Sequence, residues 1–325
     1  MTLGFVRRFE EVTRRMKCLH TLERQTSSVS IRSTLWPWRT LRFVRILFEF
    51  SMRTVEAWLY SQGSLRPLVK LSKDRTCKEA LVLANGPSLS TLNVSRVLEK
   101  QSNGQLEIFT MNNFCTTTLG ARITPNFYVL SDPQHHPDSN SNVSKQLWNY
   151  LAKAQGVTIL IPRSWAIPEK FSRLSVAYFE DRSLEGITKN IDPRKARGYS
   201  SLTALKALAL ATFIGYSKIY VLGLDNSLFK GLQVTEENRI LEKANHAPGG
   251  STLQVADLTS EYPNGLADYF YGLAVATLQL KDLFRKAPIY NLSPNSFTDA
   301  FHKCDPLHLT LGDATSPSPT EQETP

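Results

Sequence analysis

The chain has 325 residues, 42% of them hydrophobic and 21% charged, a globular composition that excludes a low-complexity or wholly disordered protein. Its cysteines, Cys18, Cys77, Cys115 and Cys304, form no CxxC pair, so neither a disulfide framework nor a zinc site is expected and a reducing cytoplasm fits best. The net charge of +9 lies entirely in residues 1–75, where 15 Lys/Arg face 6 Asp/Glu; residues 76–325 carry 23 of each sign, which argues against nucleic-acid binding.

In chain order, residues 1–75 read as a basic amphipathic helical extension with a polar break at 25–30. Arg7, Arg8, Glu10 and Glu11 interrupt any apolar signal region, so no secretory leader is expected. The apolar stretch 35–60 is broken by Arg39, Arg42, Arg45, Glu49 and Arg53, too often for a membrane span. Two readings of it stay open. Trp36, Trp38, Phe43, Phe50 and Trp58 among arginines suit peripheral contact with an anionic membrane on its inner face; the same residues suit packing on the main domain.

Residues 76–311 carry the architecture. Strands are predicted at 80–84, 106–111, 127–131, 157–161, 175–179, 218–223 and 289–292, mostly as continuous apolar runs. Strands buried on both faces read this way. Helical patterns intervene, clearest at 201–214 and 266–284. The alternation predicts an α/β fold: a Rossmann-like, open, mostly parallel sheet with helices on both faces. Residues 312–325 (GDATSPSPTEQETP) have no apolar face and read as a disordered tail.

In such sheets ligands bind beyond the carboxyl ends of the strands. The polar residues there are Asn85-Gly86-Pro87-Ser88 after the first strand, Asn112 after the second, Asp132 after the third, Asp225 after Lys218–Gly223, and Asn295 and Ser296 after the last. Gly86 permits close backbone approach, Pro87 stiffens the turn, and Ser88 is placed to cap a helix whose amides would meet a phosphate. All are also ordinary turn formers. His135 and His136 (DPQHHPD) lack a completing Cys or Glu and are expected to face solvent. Arg194, Lys195 and Arg197, before the helix 201–214, suit contact with phosphates, and a charged loop facing water is the commoner reading of them.

Several segments carry a resemblance in sequence order: N-G-P-S-L after a strand, FTMNNF (109–114), YVLSDP (128–133), the helix 201–214 running into GYSKIYVLGLD (215–225), NHAPGG (245–250) and YNLSPNS (290–296). Together they resemble the MptE-like domain family, which is related to bacterial lipooligosaccharide sialyltransferases and flagellin-glycosylating Maf proteins. The resemblance implies that Asn85 and Asn112 hold a nucleotide, that Ser201 and Thr203 contact the donor, and that His246 is the general base on an acceptor hydroxyl, a role imidazole chemistry suits. It departs from the sialyltransferases in one respect. Residues 226–229 read Asn-Ser-Leu-Phe, without the two tyrosines that assist phosphate departure there.

Three functions follow from the resemblance. The first is glycosyl transfer from a nucleotide-activated sugar, such as a CMP-linked nonulosonate, to a surface-glycan acceptor. The second is magnesium-dependent diphosphate transfer from ATP to a pterin alcohol, with Asp132 and Asp225 holding the ion at the ends of neighbouring strands. The third is a nucleotide-binding module without catalysis.

Overall fold

The computed structural model describes residues 65–244, 254–262 and 265–306. Most of the N-terminal extension, His246 and the C-terminal tail lie outside the described residues.

Eight strands form one parallel sheet: β1 (Glu79–Leu83), β2 (Leu106–Met111), β3 (Phe127–Val129), β4 (Thr158–Pro162), β5 (Ser175–Phe179), β6 (Lys218–Leu222), β10 (Ile289–Asn291) and β11 (His302–Lys303). Between β6 and β10 in sequence, β7 (Leu232–Val234), β8 (Ile240–Ala244) and β9 (Gln254–Asp257) form a separate antiparallel sheet. The large sheet runs β11-β10-β6-β1-β2-β3-β4-β5.

The central strands are largely apolar because both faces are covered. Successive residues alternate between two cores. Ala80 and Val82 of β1 face one, with Phe109 and Met111 of β2 and Ile219 and Val221 of β6. Leu81 and Leu83 face the other, with Leu106 and Ile108 and with Tyr220 and Leu222. A one-residue slip would exchange the two sets, so pairing such as Val82 with Phe109 and Val221 is fixed by packing on both sides. Burying each such aliphatic side chain stabilises the fold by roughly 1.5–3 kcal/mol.

The first core is covered by α1 (Arg66–Asp74), α4 (Thr203–Ile214) and α5 (Leu266–Phe284), through Leu68, Leu205, Leu208, Leu280 and Phe284. The second is covered by α2 (Val94–Ser102) and α3 (Asn142–Lys153), through Val94, Val97, Leu147, Trp148 and Leu151. Helix α4 is rich in Ala and Leu, strong helix formers, and is buried nearly all round. It stops at Gly215, whose φ of 93° is a left-handed cap.

From β1 the chain winds outward to β5, then returns to lay β6 on the opposite side of β1. The winding direction therefore reverses between β1 and β6, and a crevice opens at their carboxyl ends. That is where Asn85–Ser88 and Asp225 emerge. Among the described residues no helix is long and apolar enough to cross a membrane.

Candidate functional site

At the β1–β6 reversal the two strand ends are tied together by backbone and side chain. The Ala84 amide donates to the Leu222 carbonyl at 2.8 Å and the Gly86 amide to the Gly223 carbonyl at 2.9 Å. The Ser88 amide donates to Asp225 Oδ2 at 2.9 Å. A Cβ on Gly86 would lie 2.2 Å from Asp225 Oδ2 and 2.4 Å from the Gly223 carbonyl, so only glycine permits this approach. Gly223 adds a φ of 85°.

The β10 end closes the knot. Ser88 Oγ donates to Ser293 Oγ at 2.9 Å, and both hydroxyls accept from the Gly223 amide. Ser296 Oγ donates to the Leu224 carbonyl at 2.6 Å, and the Phe297 amide to the Asp225 carbonyl at 2.8 Å. Pro87, Ser88, Asp225, Pro294 and Asn295 line a cleft of about 320 Å³.

This geometry corrects the expectation that Ser88 caps the helix after the loop. A 3-10 turn, Pro87–Thr91, follows Gly86 and has no side-chain cap. The amides of Gly86 and Ser88 are consumed inside the knot, and Ser88 Oγ is spent on Ser293 and Gly223. The loop is a rigid scaffold, and what it presents is Asn85 on one flank and the cleft on the other.

Asn85 and Asn112 stand at the ends of adjacent strands. Asn85 Nδ2 donates to the Met111 carbonyl at 3.4 Å. Asn112 has a φ of 49°, which Asn tolerates better than most residues. The Oδ1 atoms of both are buried and have no hydrogen-bond partner among the described residues. An orphaned buried acceptor costs about 1–3 kcal/mol, so these are two polar atoms at adjacent strand ends whose hydrogen bonding the described residues do not supply.

The turn carrying Asn112 is held from behind. The buried Tyr128 hydroxyl donates to the Asn112 carbonyl at 2.7 Å and accepts from the Cys115 amide at 3.0 Å. His135 Nε2 lies 2.8 Å from Asn113 Oδ1. His135 is completely buried, contrary to the expectation of a solvent-facing pair, because the 3-10 turn Pro133–His135 folds its ring inward and its carbonyl accepts from Trp148 Nε1. Burial pushes the His135 pKa below its ordinary value, with Asp132 opposing the shift.

A second polar group sits at the β3 end. Ser131 Oγ and Thr203 Oγ1 are 3.0 Å apart, joining β3 to the first turn of α4. Lys206, 1% exposed, donates to Asp181 at 2.8 Å and to Ser201 Oγ at 3.1 Å. Burial lowers the Lys206 pKa and the Asp181 charge opposes that. Arg197, expected in a solvent-facing loop, is instead buried against Asp181 at 3.1 Å, while Arg194 pairs with Asp192 at 2.7 Å.

The two aspartates expected on neighbouring strands are not neighbours. Asp132 follows β3 and Asp225 follows β6, with β1 and β2 between them, a separation of about 14 Å at the usual strand spacing. Both Asp132 oxygens accept from Gln134, its amide and its side chain, at 3.0 Å. Asp225 is 6% exposed and bound to Ser88. This arrangement does not fit one magnesium ion shared by both carboxylates. Among the described residues no group of three or more His, Cys, Asp or Glu side chains is placed to hold a metal.

The predicted residues thus fall into three sets: Gly86, Pro87, Ser88, Asp225, Asn295 and Ser296 at the reversal; Asn85 and Asn112 beside it; and Asp132, Ser201 and Thr203 at the β3 end. His246 lies outside the described residues, in the segment joining β8 to β9. Sequence reasoning noted His135 but read it as solvent-facing, noted Ser293 only as one of the polar residues after the last strand, and did not single out Tyr128 or the Asp181–Lys206 pair. Ser293 alone had a usable signal, as a small polar residue immediately after a strand.

No curated protein matches the sequence. A MAf glycosyltransferase from Magnetospirillum magneticum AMB-1 is similar in structure, with 11% identity and a TM-score of 0.43, over 71% of this chain and 34% of that one. The chain therefore spans about a third of that protein's length. Residues 58–230, more than half of the chain, match the family described as 6-hydroxymethylpterin diphosphokinase MptE-like, and the protein belongs to that MptE-like family.

Proposed function

We propose that this protein is a nucleotide-dependent transferase whose nucleoside is held by Asn85 and Asn112. The observation that carries the reading is the pair of buried, unpartnered amide oxygens at the ends of adjacent strands. Ribose hydroxyls or an exocyclic base amine supply the donors they lack. The knot of Gly86, Ser88, Gly223, Asp225 and Ser293 keeps these strand ends fixed, so the site is organised before ligand arrives.

The reaction that fits best is transfer of a sugar from a nucleotide-activated donor to a glycan hydroxyl. His246 takes the hydroxyl proton as the oxygen attacks the anomeric carbon, and the nucleotide leaves with the bonding electrons. Asp225 acts through the loop it holds, since its carboxylate is bound to the Ser88 amide. Ser201 and Thr203 contact the far side of the donor. The basic segment that precedes α1, residues 1–64, brings the enzyme to an anionic membrane surface where such acceptors are made.

The family's description favours a second reading, diphosphate transfer to a pterin alcohol. Magnesium would supply charge neutralisation of the diphosphate, but the separated and engaged Asp132 and Asp225 do not make a joint site for it.

The test is turnover of nucleotide-activated sugars by wild type and His246→Ala. Loss of transfer with nucleotide binding intact supports the base assignment. Undiminished transfer by His246→Ala removes it, and ATP-dependent diphosphorylation of a pterin alcohol in place of sugar transfer establishes the second reading.

A further inference from the structure

The cleft at the reversal has a wall that the nucleotide reading does not use. Beside Pro87, Ser88, Ser90, Thr91 and Asp225, the cleft is lined by Lys230, Gly231 and Lys243. Lys230 lies in the 3-10 turn Leu228–Gly231 that leads into β7, and Lys243 lies on β8. The Leu232–Glu242 pairing brings Gly231 against Lys243. A Cβ at 231 would meet the Lys243 carbonyl at 2.1 Å, so the two lysine-bearing segments are in backbone contact.

Lys230 is exposed and rests on an aromatic ring. Its Nζ sits 4.6 Å from the centre of the Phe297 ring, and that ring packs edge-on against Phe229 at 4.9 Å. The Phe297 amide is bound to the Asp225 carbonyl, so the cation's platform is tied to a residue that lines the cleft. Among the described residues neither lysine has a carboxylate within ion-pair distance. The charged groups lining the cleft are Lys230, Lys243 and Asp225, a net charge of +1, and Asp225 already accepts from Ser88. The volume of about 320 Å³ lies at the lower end of small-ligand sites, roughly 300–1,000 Å³.

We infer that this cleft is a phosphate subsite, in which Lys230 and Lys243 bind the phosphoryl oxygens of a substrate. The inference rests on the proposed nucleotide reading only for which substrate brings the phosphate. Two sources share this chemistry: the phosphate of the donor nucleotide, reaching across the Gly86 turn from Asn85, and the phosphate of a phosphorylated sugar acceptor.

The experiment is calorimetric titration of the full-length protein with pyrophosphate, a hexose 1-phosphate, a nucleoside and its diphosphate. It uses wild type, Lys230→Gln, Lys243→Gln, the double variant, and Lys189→Gln as an exposed lysine outside the cleft. Each cleft variant should weaken phosphate-bearing ligands about tenfold or more, as loss of a charged hydrogen bond does, and leave the nucleoside unchanged. A loss confined to the nucleoside diphosphate assigns the donor phosphate; a loss confined to the hexose phosphate assigns the acceptor. Equal affinity of wild type and double variant for every phosphate-bearing ligand overturns the inference, as does absence of binding by wild type at millimolar concentration. Asn85→Ala measured alongside separates the two claims: unchanged nucleoside binding there defeats the nucleotide reading and leaves the phosphate result standing.

Discussion

Gly86→Ala tests the knot at the strand reversal most sharply, because the usual reasons for a glycine do not apply. Gly86 has φ −76° and ψ 163°, a conformation alanine adopts freely. Replacing glycine by alanine in a compatible conformation stabilises by about 0.4–1 kcal/mol through the unfolded chain. Space reverses the sign. The new Cβ would lie 2.2 Å from Asp225 Oδ2 and 2.4 Å from the Gly223 carbonyl, one of them backbone. Overpacking of this kind costs about 1–3 kcal/mol. Moving Asp225 away also breaks the Ser88 amide bond to a charged acceptor, about 1.5–3 kcal/mol more. The net expectation is a loss of about 2–5 kcal/mol. Urea unfolding of wild type and variant, followed by intrinsic fluorescence, measures it. Gly104→Ala is the control: φ there is 67° with no atom within 4 Å of the added carbon, so only the left-handed penalty of about 1 kcal/mol applies. If Gly86→Ala unfolds within about 0.5 kcal/mol of wild type, the close approach and the scaffold role built on it are wrong.

Three further outcomes follow from other parts of the molecule. His135 has a folded pKa below its ordinary 6.5, so its contribution is complete above pH 6.5 and is lost as pH falls through that value toward the folded pKa; His135→Gln should flatten the stability profile below pH 6.5, and an unchanged slope would refute this. Lys206→Met leaves Asp181 facing Arg197 alone and should cost about 3 kcal/mol in chemical unfolding, near the lower end for a broken buried pair because one partner remains; a neutral result would mean the pair is not formed. Removal of residues 1–64, which keeps α1 and its core residue Leu68, should reduce co-sedimentation with anionic vesicles, and undiminished binding would dismiss the membrane contact.

The sheet was legible because burial on both faces writes itself into sequence. EALVL and KIYVL are apolar at consecutive positions, and each predicted parallel strand is present within a residue or two. Helices 201–214 and 266–284 were legible from Ala and Leu density, the first beginning two residues later than expected because Leu202 is still extended. The small β7–β9 sheet escaped notice because its strands are short and half-exposed, and charged turn residues separate β7 from β8. Strand ends located Asn85, Asn112 and Asp225, since polar residues there follow from topology. Strand order was not legible, so Asp132 and Asp225 were paired across a gap of two strands. Nor was the inward fold of His135, which depends on Trp148 from a helix later in the chain.

The central claim, that Asn85 and Asn112 receive a nucleotide, is tested most directly by thermal shift. Wild type, Asn85→Ala and Asn112→Ala would each be melted with CMP, CDP, UDP, GDP and ATP, with and without magnesium. The account predicts that at least one nucleotide raises the wild-type midpoint. It predicts also that each variant loses most of the ligand-dependent rise, with Asn112→Ala starting from a lower midpoint without ligand because alanine tolerates its φ of 49° less well. A wild-type midpoint unmoved by every nucleotide, or variants that respond as wild type does, would contradict it.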